Sequence, residues 1–143
     1  MAKSFIEKNL SSLAGEFAVA SQLCLRGYVA SLTLKNYPGV DVFALNPKNE
    51  KQITIQVKAS TDGWFNAPKI INKKSVFIYV HIKQDKMLDF YIIPATKVIE
   101  LREKELKGYL DSHPNVKEDQ PIWLGGQKHF ADFKDKWDIL GLD

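Results

Sequence analysis

The stretch Gln52-Ile53-Thr54-Ile55-Gln56-Val57-Lys58-Ala59 alternates polar and apolar residues, and Asp41-Val42-Phe43-Ala44-Leu45 precedes it across a polar turn holding Asn46, Pro47, Lys48 and Asn49. A period of two rich in β-branched residues reads as strand, and two such runs around a turn predict an antiparallel hairpin. Successive side chains leave a strand on opposite faces, so Thr54, Gln56 and Lys58 share one face and Ile53, Ile55 and Val57 share the other. Asp41 joins Gln56 and Lys58 only if it stands opposite one of them. Matching Phe43 with Ile55 and Leu45 with Ile53 sets Asp41 opposite Val57, on the other face. Apolar matching favours that second register, while a bulge or a sheet buried on both faces accommodates the first.

Working outward from the hairpin, Leu13, Phe17, Ala20 and Cys24 recur at helical spacing after the candidate caps Ser11 and Ser12, and Gly27 is a suitable stop, which predicts a helix over 10–26. Glu16 lies in the most apolar part of that helix, where an unpaired carboxylate is costly, so it requires a cation or hydrogen-bond donors. Gly15 beside it weakens the helix but permits close approach to a sheet. Strands are expected over Tyr28 to Leu34, Ser75 to Ile82 and Phe90 to Ile93, with Asn36-Tyr37-Pro38-Gly39 as a turn. A second helix begins near Thr96, its apolar stripe formed by Val98, Ile99, Leu101, Leu106 and Tyr109. Residues 61–74 show no clear period. The aromatics Trp123, Phe130, Phe133 and Trp137 read as a tail packed into the core.

The chain has 143 residues, 45% of them hydrophobic and 26% charged, which fits one globular domain spanning 1–143 rather than a disordered chain. Its net charge of +3 admits a nucleic-acid partner without arguing for one. Nearly all the basic residues are lysine, with Arg26 and Arg102 the exceptions, so contact with nucleic acid would rest on lysine and phosphate rather than on many bidentate arginines. The single cysteine, Cys24, excludes an intramolecular disulfide or a multi-thiolate zinc site, and its neighbours Leu23 and Leu25 predict that it is buried. Neither a signal-peptide core nor an uninterrupted apolar run of about 18 residues is present. A soluble, cytoplasmic protein without a membrane partner is expected.

Gly15-Glu16-Phe17-Ala18 in the first helix, Gly39-Val40-Asp41-Val42 entering the second strand and Gln56-Val57-Lys58 in the third resemble, in order and spacing, the PD-(D/E)XK nuclease superfamily. That superfamily includes restriction enzymes, Holliday-junction resolvases and homing endonucleases. Gln56 replaces the usual second acid, a variant similar to that of Mrr-type restriction enzymes. The resemblance implies an α/β restriction-endonuclease-like core, with the N-terminal helix on a mixed central sheet and helices of the C-terminal half flanking it. It further implies a metal-dependent endonuclease acting on DNA. Asp41, Gln56, the Val57 backbone carbonyl and Glu16 would hold Mg²⁺ or Mn²⁺, and Lys58 would position or activate water and stabilise the phosphate. A homo-oligomer, dimer or higher, is expected because two strands are to be cut.

A solvated hairpin face is the bland alternative for Asp41, Gln56 and Lys58, and a salt bridge to lysine is the alternative for Glu16. Lys69, Lys73 and Lys74, with Trp64 nearby, are candidate DNA contacts or simply a solvated edge. His81, His113 and His129 have no mutual ligand spacing and read as structural. A non-catalytic nucleic-acid-binding module on the same scaffold is the second functional reading, and a protein-interaction domain using the C-terminal aromatics is the third.

Overall fold

The computed structural model describes residues 3–34 and 38–143. Helix α1, Phe5–Leu25, is followed by strands β1 (Val29–Leu32), β2 (Val42–Leu45), β3 (Gln52–Ser60), β4 (Trp64–Ala67), β5 (Val76–Ile82) and β6 (Leu88–Pro94). Helix α2 (Ala95–Ser112), strand β7 (Ile122–Gly125) and helix α3 (Gly126–Phe130) follow, and two 3-10 turns complete the chain. The main sheet runs β1-β2-β3-β5-β6; β3 and β5 are parallel and the other neighbours antiparallel, while β4 and β7 form a separate two-stranded ribbon. This is the α/β arrangement expected from the sequence: an N-terminal helix on a mixed central sheet, with later helices beside it.

The core divides between the two faces of the main sheet. On one face Val19 and Leu23 of α1 meet Val42, Ala44, Ile55, Ile78 and Ile92, with Leu140 and Leu142 closing the edge. On the other, Val98 of α2, Phe65 and Leu124 of the ribbon, and Phe130 cover Phe77, Tyr79, Tyr91 and Ile93. Each fully buried Leu, Ile, Val or Phe contributes about 1.5–3 kcal/mol to burial. Strand β5 faces both clusters, which is why Val76-Phe77-Ile78-Tyr79-Val80 is continuously buried instead of alternating.

Four expectations are corrected here. Helix α1 starts earlier than residue 10, because Ser4 forms a capping box with Glu7 that outcompetes Ser11 and Ser12 as a start signal. Its sheet-facing side is Gly15, Glu16, Val19 and Leu23, whereas Phe17 and Cys24 are exposed. The helix is apolar on two sides, and close approach selects the side bearing Gly15: a Cβ there would lie 2.5 Å from the Ala59 Cβ. Trp123, expected in the core, is on the outward face of β7. Helix α2 begins directly after Pro94, one residue ahead of the expected cap Thr96. The turn read at Asn36 to Gly39 falls partly outside the described residues. No helix among the described residues is long and apolar enough to cross a membrane.

Candidate active site

Strand β3 is longer than its neighbour. Its partner β2 pairs only with residues 52–55, in the register Val42 to Ile55 and Leu45 to Gln52, while β5 pairs with Ile55 to Ser60 on the other side. The second half of β3 therefore overhangs β2 and leaves an open edge. The register differs by one residue from apolar matching of Phe43 with Ile55. Instead Val42 and Ala44, both fully buried, share the α1 face with Ile55. Small and β-branched residues fit beneath a closely approaching helix, and the bulkier Phe43 and Leu45 turn to the other face. Continued by one residue, this register sets Asp41 opposite Gln56, on the face that carries Lys58.

Asp41 is fixed on both sides. Its backbone N–H donates to the Ile55 carbonyl at 2.9 Å, and its carbonyl accepts from the Thr33 N–H at 3.0 Å. Its side chain then replaces the missing strand: Oδ2 accepts the Val57 N–H at 2.8 Å. Along a strand, one residue's N–H and C=O point to the same side, so the Val57 carbonyl shares the edge occupied by Asp41. Glu16 is 5% exposed on the adjoining surface of α1, held near β3 by the contact of Gly15 with Ala59 and Val57. Burial pushes the Lys58 ammonium below its ordinary pKa of 10.5, and the Asp41 carboxylate partly restores it.

Glu16, Asp41, Gln56, Val57, Lys58 and Trp64 line one cleft of about 760 Å³. The other candidate DNA contacts lie elsewhere. Lys69 pairs with Asp119 in a separate depression beside Arg102, and Lys73 and Lys74 are exposed in the turn before β5. Two lysines not singled out from the sequence, Lys3 and Lys8, also line the cleft. Lys8, Ser12 and Glu16 follow at four-residue intervals on one helix face, a signal concealed by starting the helix at residue 10. Trp123 enters the same cleft from β7. Of the histidines, His129 accepts the Gly125 N–H at 2.9 Å and meets Glu105 at 3.3 Å, fixing the turn from β7 into α3.

The cleft offers oxygen donors: the Glu16 and Asp41 carboxylates, the Gln56 amide and the Val57 carbonyl, with the Asp62 carboxylate also in its lining. No cluster of three or more His, Cys, Asp or Glu suited to a metal occurs among the described residues. Such oxygens fit a hard cation such as Mg²⁺, bound with water completing its shell, better than zinc.

A mixed sheet with an overhanging central strand and a helix across its face is the frame that brings these residues together. Among solved structures, the chain matches the Holliday junction resolvase Hjc of Archaeoglobus fulgidus, from an archaeal hyperthermophile, with a TM-score of 0.50 and 9% identity over 82% of this chain and 86% of that one. At that identity the likeness is one of fold. No family model matches the chain, and no curated protein does.

Proposed function

We propose that the chain, as one domain over 1–143, is a metal-dependent endonuclease that hydrolyses phosphodiester bonds in DNA. The observation that carries this reading is the Asp41–Val57 hydrogen bond, which fixes a carboxylate at the open edge of β3, in the cleft shared by Glu16, Gln56 and Lys58. The nuclease-like fold supports it as well.

Asp41, Gln56, the Val57 carbonyl and Glu16 would hold Mg²⁺ or Mn²⁺. A carboxylate has about four lone-pair sites, so Asp41 retains acceptor capacity beyond its bond to Val57. When bound, the cation supplies electrophilic stabilisation of the phosphate and a lowered pKa for attacking water. Lys58 donates from its ammonium to the attacking water and to a non-bridging phosphate oxygen, where negative charge develops. Its partial burial strengthens both interactions by excluding competing water. Gln56 brings no charge, so affinity for the cation depends on Asp41 and Glu16.

The test is cleavage of supercoiled, linear, branched and single-stranded DNA with Mg²⁺ or Mn²⁺ by the wild type, Asp41→Ala and Lys58→Ala. Metal-dependent cutting that vanishes in both folded variants is the expected result. Salt-sensitive DNA binding without cutting by the wild type favours the binding-module reading instead.

Cutting both strands calls for two sites, and we assign self-association to the outer side of α1. Ile6, Leu10 and Phe17 are exposed there, and with Leu13 they repeat at intervals of three and four residues, as in paired helices. Sedimentation of the wild type as a dimer or larger, and of Leu10→Glu as a monomer, is expected. A monomeric wild type at micromolar concentration overturns the assignment.

A further inference from the structure

We propose that the β4–β7 ribbon is a stacking platform for unpaired bases of a DNA strand, with Trp123 as the base-contacting residue. The inference rests on the reading of the adjoining cleft as the site of strand cleavage and names the form of DNA that it takes. In the ribbon register, Asn66 stands opposite Trp123, and Trp64 opposite Gly125. Trp64, Asn66 and Trp123 therefore share one face, and Phe65, Ala67, Ile122 and Leu124 share the other, which is buried in the core. The outward face opens into the cleft that holds Asp41, Gln56 and Lys58.

The two indoles are held differently. The Trp64 ring lies across Gly125, where a Cβ would come within 3.2–3.3 Å of three ring atoms. Lys128 Nζ sits 5.8 Å from its centroid, and His129 meets its edge at 5.9 Å. Trp64 is thus a fixed wall, 37% exposed, while Trp123 is 53% exposed. A large aromatic left this open beside a polar cleft marks a contact surface more than a packing defect.

Charge indicates the occupant. Lys3, Lys8 and Lys58 line the cleft with both indoles, and Lys128 stands beside Trp64, so ammonium groups share the cleft with the indole faces. The acidic residue on this wall, Asp62, accepts the Trp64 backbone N–H at 3.0 Å through Oδ1. Lysines that follow a backbone, interleaved with aromatics that take base faces, are the elements of single-strand recognition. In a duplex each base face is covered by its neighbours, so an indole can stack only on an unpaired or extruded base. Asn66, between the tryptophans, offers amide donors and an acceptor to a base edge.

The experiment measures binding by fluorescence anisotropy in EDTA, using a labelled single strand and the duplex of the same sequence. The wild type should prefer the single strand by about tenfold or more, and Trp123→Ala should reduce single-strand affinity about tenfold, in line with base–aromatic stacking. Trp123→Phe, which keeps an aromatic face, should stay within about threefold of the wild type. Equal affinity for both probes overturns the proposal, as does an equal loss in Ala and Phe variants. Concentration-dependent burial of Trp123 without DNA also overturns it by assigning the ribbon to a second copy of the chain. Since no metal is present, a chain that never cuts DNA can still show the preference, and a chain that cuts duplex without it defeats this proposal alone.

Discussion

The two walls of the cleft are built by opposite means. The hairpin wall places Gln56 and Lys58 on the longest strand of the main sheet and Asp41 across from them just ahead of β2, with Glu16 almost fully buried on α1. The ribbon wall places Trp64 and Trp123 on four-residue strands, anchored by the buried side chains of their other face. Polar groups are thus positioned by the core, while apolar groups face outward. Catalysis needs charged groups held in place before the substrate arrives, and burial with short hydrogen bonds does that. Base recognition needs open aromatic faces, and a ribbon anchored on one side leaves them open.

Removing a group from each wall should break this comparison into different readouts. The largest effect is expected on the hairpin wall, where Lys58→Ala should lower the rate of cleavage by on the order of 10²–10³-fold or more. Asp41→Ala should do the same and also deprive the Val57 N–H of its acceptor. A cleavage rate within tenfold of the wild type in Lys58→Ala would remove Lys58 from the chemistry. Loss at Trp123 should register in DNA binding, since its side chain is largely outside the core.

A smaller effect sharpens the structural half of the comparison. Gly15→Ala forces a methyl group to 2.5 Å from the Ala59 Cβ, and neither carbon can rotate away. Overpacking of this kind costs about 1–3 kcal/mol, against a helix-propensity gain of about 1 kcal/mol. Gly108→Ala in α2, where the new Cβ meets nothing within 4 Å, should instead gain about 0.4–1 kcal/mol. Thermal or urea unfolding of the two variants should therefore move in opposite directions. A stabilised Gly15→Ala would show that α1 is free to lift, and with it Glu16.

The hairpin wall was legible because its signals are local: a period-two strand, a short turn and a carboxylate in an apolar helix all lie within a few dozen residues. What failed there was register, since β2, Val42-Phe43-Ala44-Leu45, is apolar on both faces and satisfies either pairing. Gly15, more than Phe43 or Leu45, decides which face the helix takes. The outer stripe of α1 misled for a similar reason, with two apolar sides competing and Cys24 on the losing one. The ribbon wall was illegible because β4 and β7 are short and far apart in sequence, and neither is recognisable without its partner. Trp123 accordingly read as core.

The smallest effects are expected from alkaline pH, which acts on the two walls with opposite sign. Burial lowers the Lys58 pKa below 10.5, so between those two values the unfolded chain binds more protons than the folded one. Stability from Lys58 then rises with pH until 10.5 is passed. Beneath the ribbon wall, Tyr79 is fully buried against Phe65, and burial pushes its phenol from 10.0 to about 12 although its hydrogen bond with Ser60 pulls the other way. Its stabilisation is complete below pH 10.0 and is lost as pH climbs towards about 12. Urea unfolding across this range should show Lys58→Met abolishing the rise and Tyr79→Phe abolishing the fall. Cleavage should decline as Lys58 loses its proton, in the same window where stability gains. A rate that instead increases through that window assigns Lys58 the role of a general base and withdraws the cationic one, because only the neutral amine can accept the proton of water.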